Sequence, residues 1–178
     1  MFKPSISDRE TVDACSQISI ERNNESKYLT LEAYFSKYNL DGFKKLMRSQ
    51  ADGENGHAHL IIDFLDDRNA NYYVETLAFK APPLVTIGEV LDFWLTTEQN
   101  TTLELIARQT LANEVDDMIA WEFWQTMIKE QREEEKMVMY WYTRATELGV
   151  LDIDLSVEGA TDYTTRLALI TLDNEAKS

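Results

Sequence analysis

Glu54 and His57 place a carboxylate and an imidazole three positions apart, inside a stretch from Gln50 to Leu65 that otherwise reads as one buried helix face. Phe43, Gln50, His57 and Phe64 recur every seven residues, and Met47, Glu54 and Ile61 do so beside them, which is the spacing of a helix seam. The buried face therefore turns polar at its centre. An ionised carboxylate without a partner is very costly in a core, so Glu54 must be neutral, ion-paired or bound to a metal. His57 adds a neutral nitrogen on the same face. Oxygen and imidazole donors together suit iron, manganese or zinc. The competing explanation of Glu-x-x-His is a solvated or hydrogen-bonded helix face, and the motif alone does not choose between them.

The elements that must position these residues can be read from the same periodicity. A first helix, α1, is expected over about 10–37, with Ser7 or Asp8 as its N-cap and with Ala14, Glu21, Tyr28 and Phe35 on its seam beside Ile18 and Leu31. A short turn at Asn39 to Gly42 leads to α2, about 41–68, and so makes the two helices antiparallel neighbours. Gly53 precedes the motif and Gly56 lies within it, just before His57, each costing the helix roughly 1 kcal/mol against Ala. Residues 69–86 carry no helical stripe, contain Pro82-Pro83, and end in the capping box Thr86-x-x-Glu89. A helix such as α2 spans about 40 Å, and an extended chain of this crossover's length reaches roughly 50 Å. The crossover can therefore travel the length of a bundle.

The third helix, α3, is expected over about 87–112, its seam made by Leu91, Glu98, Leu105 and Ala112 with Trp94 and Leu95 alongside. After a break near Asn113, α4 is expected over about 115–148, with Gly149 as the residue that ends it. Its rows are Trp124, Gln131, Val138, Ala145 and Ala120, Met127, Glu134, Trp141, Leu148. After an irregular stretch at Asp152 to Ser156, a short α5 is expected over about 161–172 with Tyr163, Leu167 and Ile170 as its apolar members. The fold class is then all-α: one domain, 1–178, built as an antiparallel four-helix bundle with one long crossover and a short fifth helix at the C-terminus.

Composition agrees with helix, since 178 residues hold six Gly and three Pro. A net charge of -15 speaks against nucleic acid and anionic membrane as partners. It is compatible with drawing in cations, and equally with ordinary solubility. Cys15 is the single cysteine, so an intrachain disulfide is excluded. Met1 to Thr11 has no apolar signal core, and no run is long enough to span a membrane. A cytoplasmic location is expected.

Four apolar seams are thus interrupted near their middles: by Glu21, by Glu54 with His57, by Glu98, and by Gln131 with Glu134. Acids from four helices at similar depth would make an unstable core unless positive charge sits among them. Two divalent cations would balance them. The symmetric form of such a dimetal bundle uses Glu-x-x-His twice. This chain has only His57 and His59, and α4 offers Gln131-Arg132-Glu133-Glu134 where the second motif would stand.

Taken together, Ile20-Glu21 with Tyr28, Gly42-Phe43, Glu54-x-x-His57-Ala58, Glu98 and Glu130-Gln131-Arg132-Glu133-Glu134-Glu135-Lys136 make the chain, over about residues 10–148, resemble a ferritin of the non-haem bacterial type. The resemblance implies the ferritin-like bundle as the fold. It implies that Glu21, Glu54 and His57 hold one iron and that Glu54, Glu98 and Glu134 hold the other, with Glu54 bridging. Tyr28 and Gln131 would hydrogen-bond the ligands or bound oxygen species. The implied activity is oxidation of Fe(II) by dioxygen at this di-iron ferroxidase centre, with Fe(III) stored as mineral inside a homo-oligomeric cage of twenty-four chains. Relatives with a third iron site usually place a Glu directly before the Glu of the motif. Here that residue is Gly53, leaving Glu130 and Glu133 as possible third-site ligands or as a solvated acidic face. Haem-bearing relatives have a Met between bridging Glu and His, and Asn55 stands near there, so no haem is expected. His59 is expected at the surface.

Three other functions compete. A di-iron oxidase or oxygenase with a stable metal cofactor would want the missing second motif. A non-catalytic iron-sequestering protein would not need the full ligand set. A metal-free helical interaction bundle must explain four inward acids, with no candidate cation among the nearby seam residues.

Overall fold

The computed structural model describes residues 5–155 and 162–177. Its helices are α1 Asp8–Lys37, α2 Asp41–Asp67, α3 Ile87–Glu114, α4 Met118–Glu147 and α5 Tyr163–Glu175. Among the described residues there is no strand, and a lone bridge joins Thr86 to Asp154. The expected fold is the one found: an antiparallel four-helix bundle with a long crossover between α2 and α3 and a short fifth helix.

Local chemistry sets the ends. Ser7 and Glu10 form a capping box on α1, and Thr86 and Glu89 form the expected one on α3. The backbone N–H groups of Val85 and Thr86 both donate to the Glu89 carboxylate, which holds it below its usual range. The break between α3 and α4 falls slightly later than the sequence suggests, because Asp117 accepts from Ala120 N at 3.0 Å and caps α4 there. Gly149 adopts φ 66°, the left-handed conformation that closes a helix without a Cβ penalty. Around Gly53 and Gly56 a Cβ would meet nothing within 4 Å, so close packing does not account for either glycine.

The crossover runs alongside α1. Tyr73 N donates to Cys15 Sγ at 3.4 Å, Glu75 N to Ser19 Oγ at 2.9 Å, and Tyr34 Oη to the Val85 carbonyl at 3.1 Å. Parts of its backbone thus find partners on the helix it passes.

Where Tyr163, Leu167 and Ile170 were expected as the apolar members of α5, the structure leaves all three exposed. The helix packs instead through Leu169, Leu172 and Asp173. One Asp173 oxygen accepts from Gly42 N at 2.8 Å and from Phe43 N at 3.0 Å, so α5 supplies the cap that Leu40 cannot give α2. Arg144 on α4 pairs with both oxygens of Glu175. Thr161, where the helix was expected to start, and Ser156 lie outside the described residues. This docking makes Gly42 irreplaceable, since a Cβ there would sit 2.0 Å from the Asp173 carbonyl oxygen. Gly42→Ala is expected to cost about 2 kcal/mol and to expose the C-terminal segment to limited proteolysis. An unchanged thermal midpoint and cleavage pattern would contradict this docking.

The core is divided. One apolar cluster contains Tyr28, Phe35, Phe43, Met47, Leu91, Trp94, Val138 and Trp141. The other contains Ala14, Ile18, Ala58, Ile61, Leu105, Trp124 and Met127. Along each of the four long helices the interrupting residues (Glu21, Glu54, Glu98, Gln131 and Glu134) fall between the stretches that enter the two clusters.

Candidate metal centre

The polar layer between the two clusters is where the acids converge. Glu21 and Glu98 have no exposed surface and Glu54 has 2 %, while Glu134 is half-buried. Ligand atoms of Glu21, Glu54 and His57 all lie within 4.8 Å of one another, and so do those of Glu54, Glu98 and Glu134. Glu54 belongs to both groups. Two adjacent cations would therefore share it. His57 Nδ1 stands 3.6 Å from Glu54 Oε2, and its Nε2 stands 3.8 Å from Glu130 Oε2.

Some ligand oxygens are already engaged. Gln17 Nε2 donates to Glu21 Oε1 at 2.6 Å. Trp94 Nε1 donates to Glu98 Oε1 at 3.0 Å, and the Gln131 amide donates to Glu98 Oε2. The remaining oxygens are not: Glu21 Oε2, Glu54 Oε2, Glu134 Oε2 and the Tyr28 hydroxyl are buried without a hydrogen-bond partner. Buried polar atoms of this kind are rare and costly. Three of them are carboxylate oxygens facing one space, and that is a fit for cations with oxygen and imidazole preference. Tyr28 lies edge-on to Trp94 with ring centroids 6.3 Å apart.

Electrostatics make the same point. Burial, then the neighbouring Glu54 charge, raises Glu21 well above the ordinary carboxylate range. Burial raises Glu54 to about 7, with Glu134 adding to it and contacts from Glu21, Lys27 and Asn24 opposing. Burial and then Glu134 push Glu98 well up. Glu134 itself is raised chiefly by burial, against the pull of His57. Without a cation the cluster takes up protons.

Glu130 and Glu133 lie outside both ligand groups. Glu133 is exposed and pairs with Lys136 at 2.5 Å. Glu130 is half exposed and approaches the centre only through His57. His59 is exposed, with Nδ1 2.8 Å from the Asn55 carbonyl oxygen.

Periodicity placed Trp94 and Gln131, which support Glu98, but did not reveal the other groups around the ligands. Gln17, Asn24 and Thr101 are buried polar residues, Asn24 Nδ2 donating to Thr101 Oγ1 at 2.9 Å across α1 and α3. The signal available was polarity one turn from each interrupting acid. Lys27 corrects the expectation that no cation stands near the acids. It is half-buried, and burial lowers it from the usual lysine range against the opposing charges of Glu54, Glu98 and Glu21.

An all-α bundle whose two apolar clusters are separated by a layer of four carboxylates and a histidine has the architecture of the ferritin-like class. The family described as ferritin-like domain matches residues 16–146. A bacterial non-heme ferritin of Bacteroides fragilis is 26% identical over 141 residues, covering 78% of this chain and 89% of the relative. One of Staphylococcus aureus is 28% identical over 124 residues, covering 68% and 74%. Among solved structures, a humanized archaeal ferritin superposes with TM-score 0.85 at 23% identity, over 97% of this chain and 96% of that one. An open-pore ferritin from the archaeon Archaeoglobus fulgidus gives 0.82 at 25%, over 97% and 98%. The chain belongs to the ferritin family, and iron storage is the family's work.

Proposed function

We propose that this chain is a ferroxidase ferritin: it oxidises Fe(II) with dioxygen at the centre formed by Glu21, Glu54, His57, Glu98 and Glu134, and stores the Fe(III) as mineral within a homo-oligomeric cage. The observation that carries this reading is the pair of ligand groups sharing Glu54, each with a buried carboxylate oxygen that has no hydrogen-bond partner. Iron is substrate here. Each Fe(II) gives up one electron, so a pair supplies the two that dioxygen takes on reduction to peroxide. Carboxylate oxygens favour Fe(III) over Fe(II), which eases the oxidation, and a single imidazole limits how firmly either state is held. Gln17, Trp94 and Gln131 orient Glu21 and Glu98 by donating to oxygens that would otherwise swing. The Tyr28 hydroxyl, buried without a hydrogen-bond partner, would bond a ligand or a bound oxygen species, and Glu130, 3.8 Å from His57, lies outside both ligand groups.

The test is anaerobic Fe(II) loading of the full chain followed by air, with near-ultraviolet absorbance as the signal. A fast phase that saturates at two irons per chain, followed by slower growth on further iron, is the expected result. A fast phase that saturates and never resumes would mean a stable di-iron cofactor and an organic substrate. No fast phase would leave a sequestering protein.

A further inference from the structure

The ammonium of Lys27 is a charged feature of the polar layer that the proposed reaction does not use. Metal ligation calls for negative and neutral donors, and a lysine beside them opposes it by charge. Its placement is nevertheless well defined. Lys27 Nζ donates to Asn24 Oδ1 at 2.8 Å, and the same Asn24 amide donates to Thr101 on α3. Asn24 and Thr101 are both buried, one turn from Glu21 on α1 and one turn from Glu98 on α3 respectively. A buried amide thus holds the lysine head at the α1–α3 side of the layer. The other basic side chain of this part of α1, Arg22, is engaged elsewhere, with Glu25 at 3.2 Å and with Asn55.

We propose that Lys27 is a positioning residue of the iron centre, a fixed counter-cation that offsets carboxylate charge at Glu54, Glu98 and Glu21 and so weakens retention of bound metal. The inference rests on the ferroxidase reading. Four carboxylates balance two divalent ions, and two trivalent ions leave an excess of positive charge. The ammonium adds to that excess, so it acts hardest against the oxidised pair. Release of Fe(III) toward storage is thereby favoured over its retention as a cofactor.

Zn(II), which takes the same ligand types and undergoes no redox change, is the probe. Calorimetric titration would compare the wild type with Lys27→Met, Lys27→Gln and Lys27→Arg. Both neutral variants are expected to bind Zn(II) about tenfold more tightly, with two ions per chain throughout, and Lys27→Arg to stay close to the wild type. After one round of iron oxidation, the neutral variants should also regain the fast phase more slowly on a second Fe(II) addition. Unchanged or weaker Zn(II) binding in Lys27→Met and Lys27→Gln, with two ions still bound, would overturn the role of Lys27. So would an arginine variant that behaves as the neutral ones do. A wild type that binds fewer than two ions per chain would instead overturn the metal centre itself.

Discussion

Glu54→Ala is expected to abolish the fast phase of Fe(II) oxidation, by about a hundredfold or more, in a chain that still folds. Glu54 contributes to both ligand groups, so its loss removes a donor from each and takes away the bridge between them. Glu21→Ala and Glu134→Ala make the informative contrast. Each damages one group only, so each is expected to retain one tightly bound Zn(II) per chain while Glu54→Ala retains none. Misfolding does not explain the expected loss, because removing a buried acid whose neighbours are acids relieves repulsion in the metal-free protein. A Glu54→Ala protein that kept the fast phase with unchanged stoichiometry would sink the shared-ligand arrangement.

Metal-free protein is expected to lose stability as pH rises from about 5 to about 7.5, opposite to what burial of ordinary salt-bridged carboxylates gives. Glu54 moves from 4.5 to about 7 in the folded chain. Between those values the folded state binds a proton that the unfolded state has released. The contribution is therefore fully present below the unfolded value and is lost as pH climbs through the folded one. A gap of that size is worth about 3 kcal/mol, or roughly 5–10 °C in thermal midpoint for a chain of this length. Glu21, Glu98 and Glu134 act in the same direction. The lowered carboxyls of Asp117 and Glu89 act the other way, but below the window. Saturating Zn(II) should reverse the trend, since the ligands must be deprotonated to bind. Glu54→Gln should flatten the metal-free profile. A metal-free midpoint that rose steadily across the window would show that the acids are neither as buried nor as crowded as the geometry requires.

The bundle and the converging acids were legible in the sequence because a seven-residue seam reports directly which residues face inward. Ala14, Glu21, Tyr28 and Phe35 are all buried, as are Leu91, Glu98, Leu105 and Ala112. What that period cannot report is a group that reaches the layer from the flank. Lys27 has a long apolar stem that crosses the edge of a helix face before its charge arrives, and nothing in an apolar stripe marks that. Gln17 and Asn24 are one turn from Glu21 and read as ordinary polar helix residues until their partners, Glu21 itself and Thr101 on α3, are known. The face of α5 was misread for a related reason. Tyr163, Leu167 and Ile170 suggested the buried side, whereas the helix docks through Leu169 and Leu172, in the register that lets Asp173 satisfy the free N–H groups of α2. Apolar size does not reveal an acid recruited as a cap.

The divided core also fixes the route by which an ion can travel. Toward one end the layer is stoppered by Tyr28, Met47, Trp94 and Val138, and toward the other by Ile18, Ile61, Leu105 and Ile128, all buried. A hydrated cation cannot pass such plugs without shedding its water among hydrocarbon. On the proposed reading, traffic would instead be sideways, through the wall of the bundle. His57 and Glu130 lie on that wall, their side chains 15% and 53% exposed. The two halves of the molecule could then stay shut during turnover, and the helices would not need to part.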